Sequence, residues 1–225
     1  MIIVTGASRG LGLAIAERLA GHGHEILGIA RQPGDLPFEA MACDVSVHDD
    51  VKAVARLLKE RQATVDAVIN AAGIASMNLA VFMPETITRR IVETNLLGTI
   101  YCCQLLAPLM MRKKRGTIVN FSTIAVALGL KGEAVYAASK AGVETFSKAF
   151  AREMADFGIR VNCIAPGPIA TDLIKGVGKT QIDRIVGEQV IPRQFEPSDV
   201  CDLVELLLDD RAASISGEVL HVGGI

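Results

Sequence analysis

Short apolar runs alternate with segments whose apolar residues recur every three to four positions, from one end of the chain to the other. The runs are β-branched and too short for helices, which predicts strands covered on both faces. They are Ile2–Val4, Glu25–Ala30, Glu39–Cys43, Asp66–Asn70, Gly116–Phe121, Ile159–Ala165 and Gly217–Val222. Between them lie amphipathic helical patterns. Leu13, Ile15, Ala16 and Leu19 mark the first, which Gly21 ends, and Val51, Val54, Leu57 and Leu58 mark a second over Val47–Glu60. A long helix lies within Pro84–Met111, with Ile87, Ile91, Asn95, Thr99 and Cys102 on one face. Another runs from Glu133 to Phe157 on a stripe of Val143, Phe146, Phe150 and Met154. Ser198-Asp199 reads as the cap of a last helix carrying Val200, Leu203, Val204 and Leu207. Strict strand–helix alternation predicts one doubly wound α/β domain over 1–225, with a mainly parallel seven-stranded sheet and helices on both faces. The stretch 172–192 breaks the rhythm. Its glycines at 176 and 178 and its apolar Ile182, Ile185 and Val186 suit either a lid over an apolar substrate or an oligomer contact.

Composition narrows the picture. Half the chain is apolar, but Trp is absent and aromatics make up 4%, so the core must be built from Ala, Val, Ile and Leu. The net charge of −2 offers no electrostatic case for nucleic acid or acidic membranes. Five cysteines include no C-x-x-C pair and the histidines are scattered, which argues against a zinc site or a disulfide framework. Cys43, Cys102 and Cys163 read as small buried hydrophobes in a reducing compartment. No targeting signal and no apolar run of membrane-spanning length is visible, so a soluble, cytoplasmic protein is expected.

Candidate chemistry sits where strands end. Ile2–Val4 runs into Thr5-Gly6-Ala7-Ser8-Arg9-Gly10-Leu11-Gly12 and then into a helix, a layout that sets backbone N–H groups and a helix N-terminus against a phosphate. The second strand ends in Ala30-Arg31-Gln32, where a site for unphosphorylated ribose would offer a carboxylate. Arg31 and Arg9 instead suit a 2′-phosphate. The fourth strand ends in the small residues Ala71-Ala72-Gly73, over which a flat ligand can lie. Asn95 is a polar residue on an apolar stripe, so it either ties down backbone or belongs to a site. Tyr136 and Lys140 are four apart on one helix face. An ammonium at ~4 Å is worth up to ~4 kcal/mol at an intermediate dielectric. That is the size needed to lower a phenol by about three units.

In order and at these spacings, Thr5-Gly6-x3-Gly10-x-Gly12, Asp44-Val45, Asn70-Ala71-Ala72-Gly73, Asn95, Tyr136-x3-Lys140 and Pro166-Gly167 with Thr171 resemble the short-chain dehydrogenase/reductase family over essentially the whole chain. The 3-oxoacyl-[acyl-carrier-protein] reductases are the nearest subgroup in appearance. The resemblance implies a Rossmann-type fold and a carbonyl reductase using NADP(H) in preference to NAD(H). Gly6, Ser8, Arg9, Gly10, Leu11 and Gly12 would hold the phosphates, and Asp44 and Val45 would border the adenine. Asn70, Ala71 and Gly73 would line the nicotinamide-side ribose. Pro166-Gly167, Ile169 and Thr171 would meet the nicotinamide end. Tyr136 would be the proton donor, with its pKa depressed by Lys140, which would also hold the ribose hydroxyls. Asn95 would support a water relay. The family's usual serine thirteen residues before the tyrosine is Thr123 here; Ser122, one step earlier in a strand, would face the other way. Thr123 would still donate a hydrogen bond, with an added methyl. The implied partners are a small carbonyl or alcohol substrate, including a carrier-bound acyl chain, and further copies in a homodimer or homotetramer; no metal is implied. Two other functions fit the same motifs: a nucleotide-binding scaffold with weakened turnover, and an NADP-dependent alcohol dehydrogenase running the same chemistry in reverse.

Overall fold

The computed structural model describes residues 1–171 and 178–225. Seven strands run β1 Ile2–Thr5, β2 Ile26–Ala30, β3 Glu39–Ala42, β4 Ala67–Asn70, β5 Gly116–Phe121, β6 Ile159–Pro166 and β7 Val219–Val222. Every pairing is parallel, in the order β3-β2-β1-β4-β5-β6-β7. The sheet is therefore wholly, not mainly, parallel.

The helices are α1 Gly10–Gly21, α2 His48–Glu60, α3 Glu85–Val92, α4 Gly98–Leu106, α5 Pro108–Met111, α6 Ala125–Leu128, α7 Ala134–Met154, α8 Lys179–Gly187 and α9 Pro197–Leu208. Alternation along the strands sorts the core into two layers. Ile3, Val68, Ile118 and Val161 face a layer with Val51, Cys102, Leu106 and Phe150. Ile2, Val4, Ile69, Val119 and Ile164 face the other, with Ile15, Leu19, Val200 and Val204. All five cysteines are buried and free, as small apolar residues would be.

Three local readings change. The long helix is not uniform: one π-helical turn, Glu93–Leu97, separates α3 from α4 and carries Asn95. Taken as one rod, Glu85–Met111 is long and apolar enough to cross a membrane by length and composition. In this fold, however, its apolar face is the core layer against β4, α2 and α7. The last helix is capped by Glu196 with Pro197 in its first turn, not by Ser198-Asp199. Asp199 reaches back to accept from the Glu196 N–H at 2.8 Å, and Arg193 holds its carboxylate from the other side. Of the irregular stretch 172–192, positions 172–177, Gly176 among them, lie outside the described residues.

Candidate active site

The turn after β1 works by what its glycines leave out. Gly6 and Gly10 have positive φ, +70° and +58°, a backbone shape in which a Cβ is crowded. A Cβ on Gly6 would meet the Ala72 Cα at 2.9 Å, and one on Gly12 would run into the Gly6 carbonyl. The β1 and β4 ends are thereby drawn together, and the Ala72 N–H donates to Thr5 Oγ1 at 3.0 Å. Ser8 is half-buried, and Leu11 reaches the wall of a cavity that Tyr136 also lines. Arg9 and Arg31 are exposed, and neither has an ion-pair partner among the described residues. Beyond β3, the Asp44 carboxylate is occupied by the Ser46 N–H and hydroxyl at 3.0 and 2.6 Å. Val45 is buried, packed so closely on Gly98 that a Cβ there would lie 2.9 Å from its Cγ2.

At the end of β4 the chain is pinned to α7 through Asn95, which is fully buried. Its Oδ1 accepts from the Ile74 N–H at 2.8 Å, and its Nδ2 donates to the Ile74 carbonyl at 2.9 Å and to Ser139 Oγ at 3.1 Å. Ser139 donates in turn to the Tyr136 carbonyl at 2.7 Å. The π turn places this amide, and such turns recur at functional sites. Asn95 thus ties down backbone and does so beside Lys140: a Cβ on Gly73 would lie 3.4 Å from both Asn95 Oδ1 and Lys140 Nζ. Ser139 was not singled out in the sequence, although it sits three residues beyond Tyr136.

Lys140 is buried and donates to the Phe121 carbonyl at 2.9 Å. Burial lowers its pKa to about 8, the Cys163 thiol acting weakly the other way. Tyr136 is buried too, and burial pushes its phenol above the ordinary value. The Glu133 carboxylate pushes in the same direction, and a hydrogen bond with Thr123 opposes both. The expected depression of the phenol by Lys140 is therefore not what this arrangement gives. Burial governs the phenol, and the ammonium is directed at a carbonyl of β5.

The two hydroxyls after β5 both reach the cavity but differ in what they bond. Thr123 is the one close enough to Tyr136 to pull its pKa down, and it also accepts from the Ala125 N–H at 3.3 Å. Ser122 reaches the cavity wall, but its hydroxyl donates to Glu144 Oε1 at 2.5 Å. Thr123 and Tyr136 share a cavity of about 380 Å³. The β6 end, with Pro166, Gly167, Ile169 and Thr171, forms one side of it. Met77 and Leu130 form another, and Ile182 and Ile185 of α8 a third. Glu133, which sequence reasoning passed over, lines it as well.

Asn70 is not brought to this cavity. It is buried in the other direction, donating to Asn120 Oδ1 at 2.8 Å, and Asn120 donates to Ser147 Oγ at 2.8 Å. This second amide network braces β4, β5 and α7 inside the core. Its position at the last residue of β4 turns its side chain away, leaving Ala71 and Gly73 as the members of that motif nearer the surface.

The family model described as enoyl-(acyl carrier protein) reductase matches residues 6–224. The chain belongs to the short-chain dehydrogenase/reductase family. It is 36% identical to 3-oxoacyl-[acyl-carrier-protein] reductase FabG of Vibrio cholerae, over 99% of this chain and 95% of that protein. Against the FabG of Escherichia coli the identity is 34%, over 99% and 95%. Among solved structures, aldohexose dehydrogenase of Thermoplasma acidophilum superposes with a TM-score of 0.89 at 30% identity, covering 99% of this chain and 92% of that one. The family makes this chain an oxidoreductase with a nicotinamide nucleotide as its cofactor. Its relatives thus include an enzyme named for a carrier-bound acyl substrate and one named for a sugar, on one fold.

Proposed function

We propose that the chain reduces a ketone, of which a 3-ketoacyl thioester is one class, to a secondary alcohol with NADPH. The observation that carries this reading is the convergence of the Tyr136 and Thr123 hydroxyls on one cavity, with the Lys140 ammonium at the adjoining strand end. The residues present fit a nicotinamide dinucleotide. Gly6 and Gly12 keep clear a backbone cradle that a Cβ would fill, and Gly73 leaves open the space between Asn95 and Lys140.

Gly6, Ser8, Gly10, Leu11 and Gly12 would hold the phosphates, and Asp44 and Val45 would border the base. Exposed Arg9 and Arg31 would meet a 2′-phosphate, which is the basis for NADP(H) over NAD(H). Ala71, Gly73 and Lys140 would lie along the second ribose, and Pro166, Gly167, Ile169 and Thr171 along the nicotinamide. When bound, the reduced cofactor supplies a hydride.

The protein supplies the rest. Thr123 Oγ1 donates to the carbonyl oxygen and holds it against Tyr136. A phenol raised above its ordinary value stays protonated through the neutral range. It gives up its proton only as negative charge grows on that oxygen. Lys140 would hold the ribose hydroxyls, and Asn95 keeps the Ile74 segment and Ser139 in place around it and Tyr136. Met77, Leu130, Ile182 and Ile185 shed water from the cavity. Family members assemble as oligomers, and a homodimer or homotetramer is the expected form here.

The test is loss of NADPH absorbance with a panel of 3-ketoacyl thioesters and simple ketones. Tyr136→Phe should lower kcat by about 10²–10⁴-fold with little change in KM. Equal turnover by the variant would sink the assigned mechanism.

A further inference from the structure

Among the described residues that line the cavity, Glu133 is the single charged side chain, and the chemistry above does not use it. It precedes α7, at the helix N-cap position, yet its side chain makes no capping bond. It also has no side-chain hydrogen bond or ion pair with any described residue. Burial raises its pKa above the ordinary carboxylate value. Its position is fixed by the backbone: the Asn78 N–H donates to the Gly132 carbonyl at 3.0 Å, and Gly132 turns the chain with φ +88°. Met77 and Leu130 flank it in the same wall. It lies three residues before Tyr136, close enough for its charge to act on the phenol. The neighbouring Lys131 is exposed.

A half-buried carboxylate without a donor is a cost to the protein that a bound molecule can relieve. An O–H or N–H on the substrate would supply the missing hydrogen bond. A carboxylate there would add a second negative charge in a poorly solvated wall. We propose that Glu133 sets substrate class: it selects ketones that carry a neutral hydrogen-bond donor beside the carbonyl and rejects those with a free carboxylate. This rests on the reading of Tyr136 as the reducing site, and within it ranks ketoamides and hydroxy-ketones above a thioester, which brings no donor, and above any free acid.

Two probes of one skeleton separate the cases: 3-oxobutanamide, neutral with N–H donors, and 3-oxobutanoate, an anion at neutral pH. The wild-type protein should favour the amide by about tenfold or more in kcat/KM, mainly through KM. Glu133→Gln, which keeps the size and loses the charge, should bring the two within about threefold by improving the anion. Saturation-transfer NMR of the ketone methyl signals, recorded without nicotinamide, should show the wild type contacting the amide alone and the variant contacting both. Equal handling of the pair by the wild type, or an unchanged ratio in Glu133→Gln, overturns the inference and leaves the Tyr136 reading intact. Discrimination in the NMR experiment with no turnover of any ketone upholds Glu133 as the selecting group and overturns the assigned reaction instead.

Discussion

The β1–α1 turn and the inner face of α7 border the same cavity, through Leu11 and Tyr136, but they are built on opposite principles. The turn consists of backbone and of the space its glycines leave. The α7 face consists of buried polar side chains, of which Ser139 is held by Asn95 and Lys140 by the Phe121 carbonyl, while Tyr136 faces Thr123 across the cavity wall. The turn should therefore fail when an atom is added, and the face when one is removed. Only the second kind of failure leaves an unpaired group behind in the core.

The sharpest way to break the contrast is a single methyl group. Gly12→Ala drives a Cβ into the Gly6 carbonyl and should weaken NADPH binding by about 100-fold or more, read by cofactor fluorescence. Gly21→Ala in the same helix meets nothing within 4 Å and should leave binding unchanged. On the other side, Asn95→Ala strips the partners from the Ile74 N–H and carbonyl and from Ser139. It should cost about 2–4 kcal/mol of stability in urea unfolding, and raise KM along with it. If the variant unfolds at the wild-type midpoint, the amide is not a brace.

Arg9 and Arg31 sharpen the turn's share of the work. Replacing either with Ala should lower the preference for NADPH over NADH by about 10–100-fold, because a charged hydrogen bond is worth about 1.5–3 kcal/mol. An unchanged ratio of kcat/KM values would assign the cofactor preference elsewhere.

The smallest effect is a pH dependence. Lys140 has a folded pKa of about 8 against an ordinary value of 10.5, so between those limits the unfolded chain binds more protons than the folded one. Its contribution to stability rises as pH rises from about 8 to 10.5. The cysteine thiols and Tyr136, all pushed up by burial, act in the opposite direction. The lysine's part must therefore be read as a difference. Relative to Lys140→Met, the wild type should gain about 1–3 kcal/mol across that window. Parallel stability curves would mean that the ammonium is better solvated than its burial implies.

Much of the site was legible from residue order alone, for reasons that are local. Glycine at 6, 10 and 12 announces itself because only a residue without a Cβ tolerates those torsions and contacts. Thr123 was singled out by its spacing, thirteen residues before Tyr136; strand alternation did not separate it from Ser122, since both lie beyond β5 and reach the same cavity. Tyr136 and Lys140 share a helix face because a helix repeats near four. Other features needed distant partners. Asn95 became a brace between two elements only once a π turn aimed it at Ile74 and Ser139. Asn70, at the end of its strand, faced the core because Asn120 and Ser147 stood there to receive it. Glu133 marked only the start of a helix in the sequence, and its place in a cavity wall with Met77 and Leu130 came from the packing of separate segments.

The sequence by itself determined the strands, the amphipathic helices and the glycine-shaped turn, since each depends on torsional preference and on period along one segment. The tertiary structure alone decided which polar groups are satisfied, which are left facing the cavity, and whether burial or a neighbouring charge governs Tyr136. Those outcomes depend on distances between segments far apart in the chain, and desolvation is set by what surrounds a group, not by what precedes it.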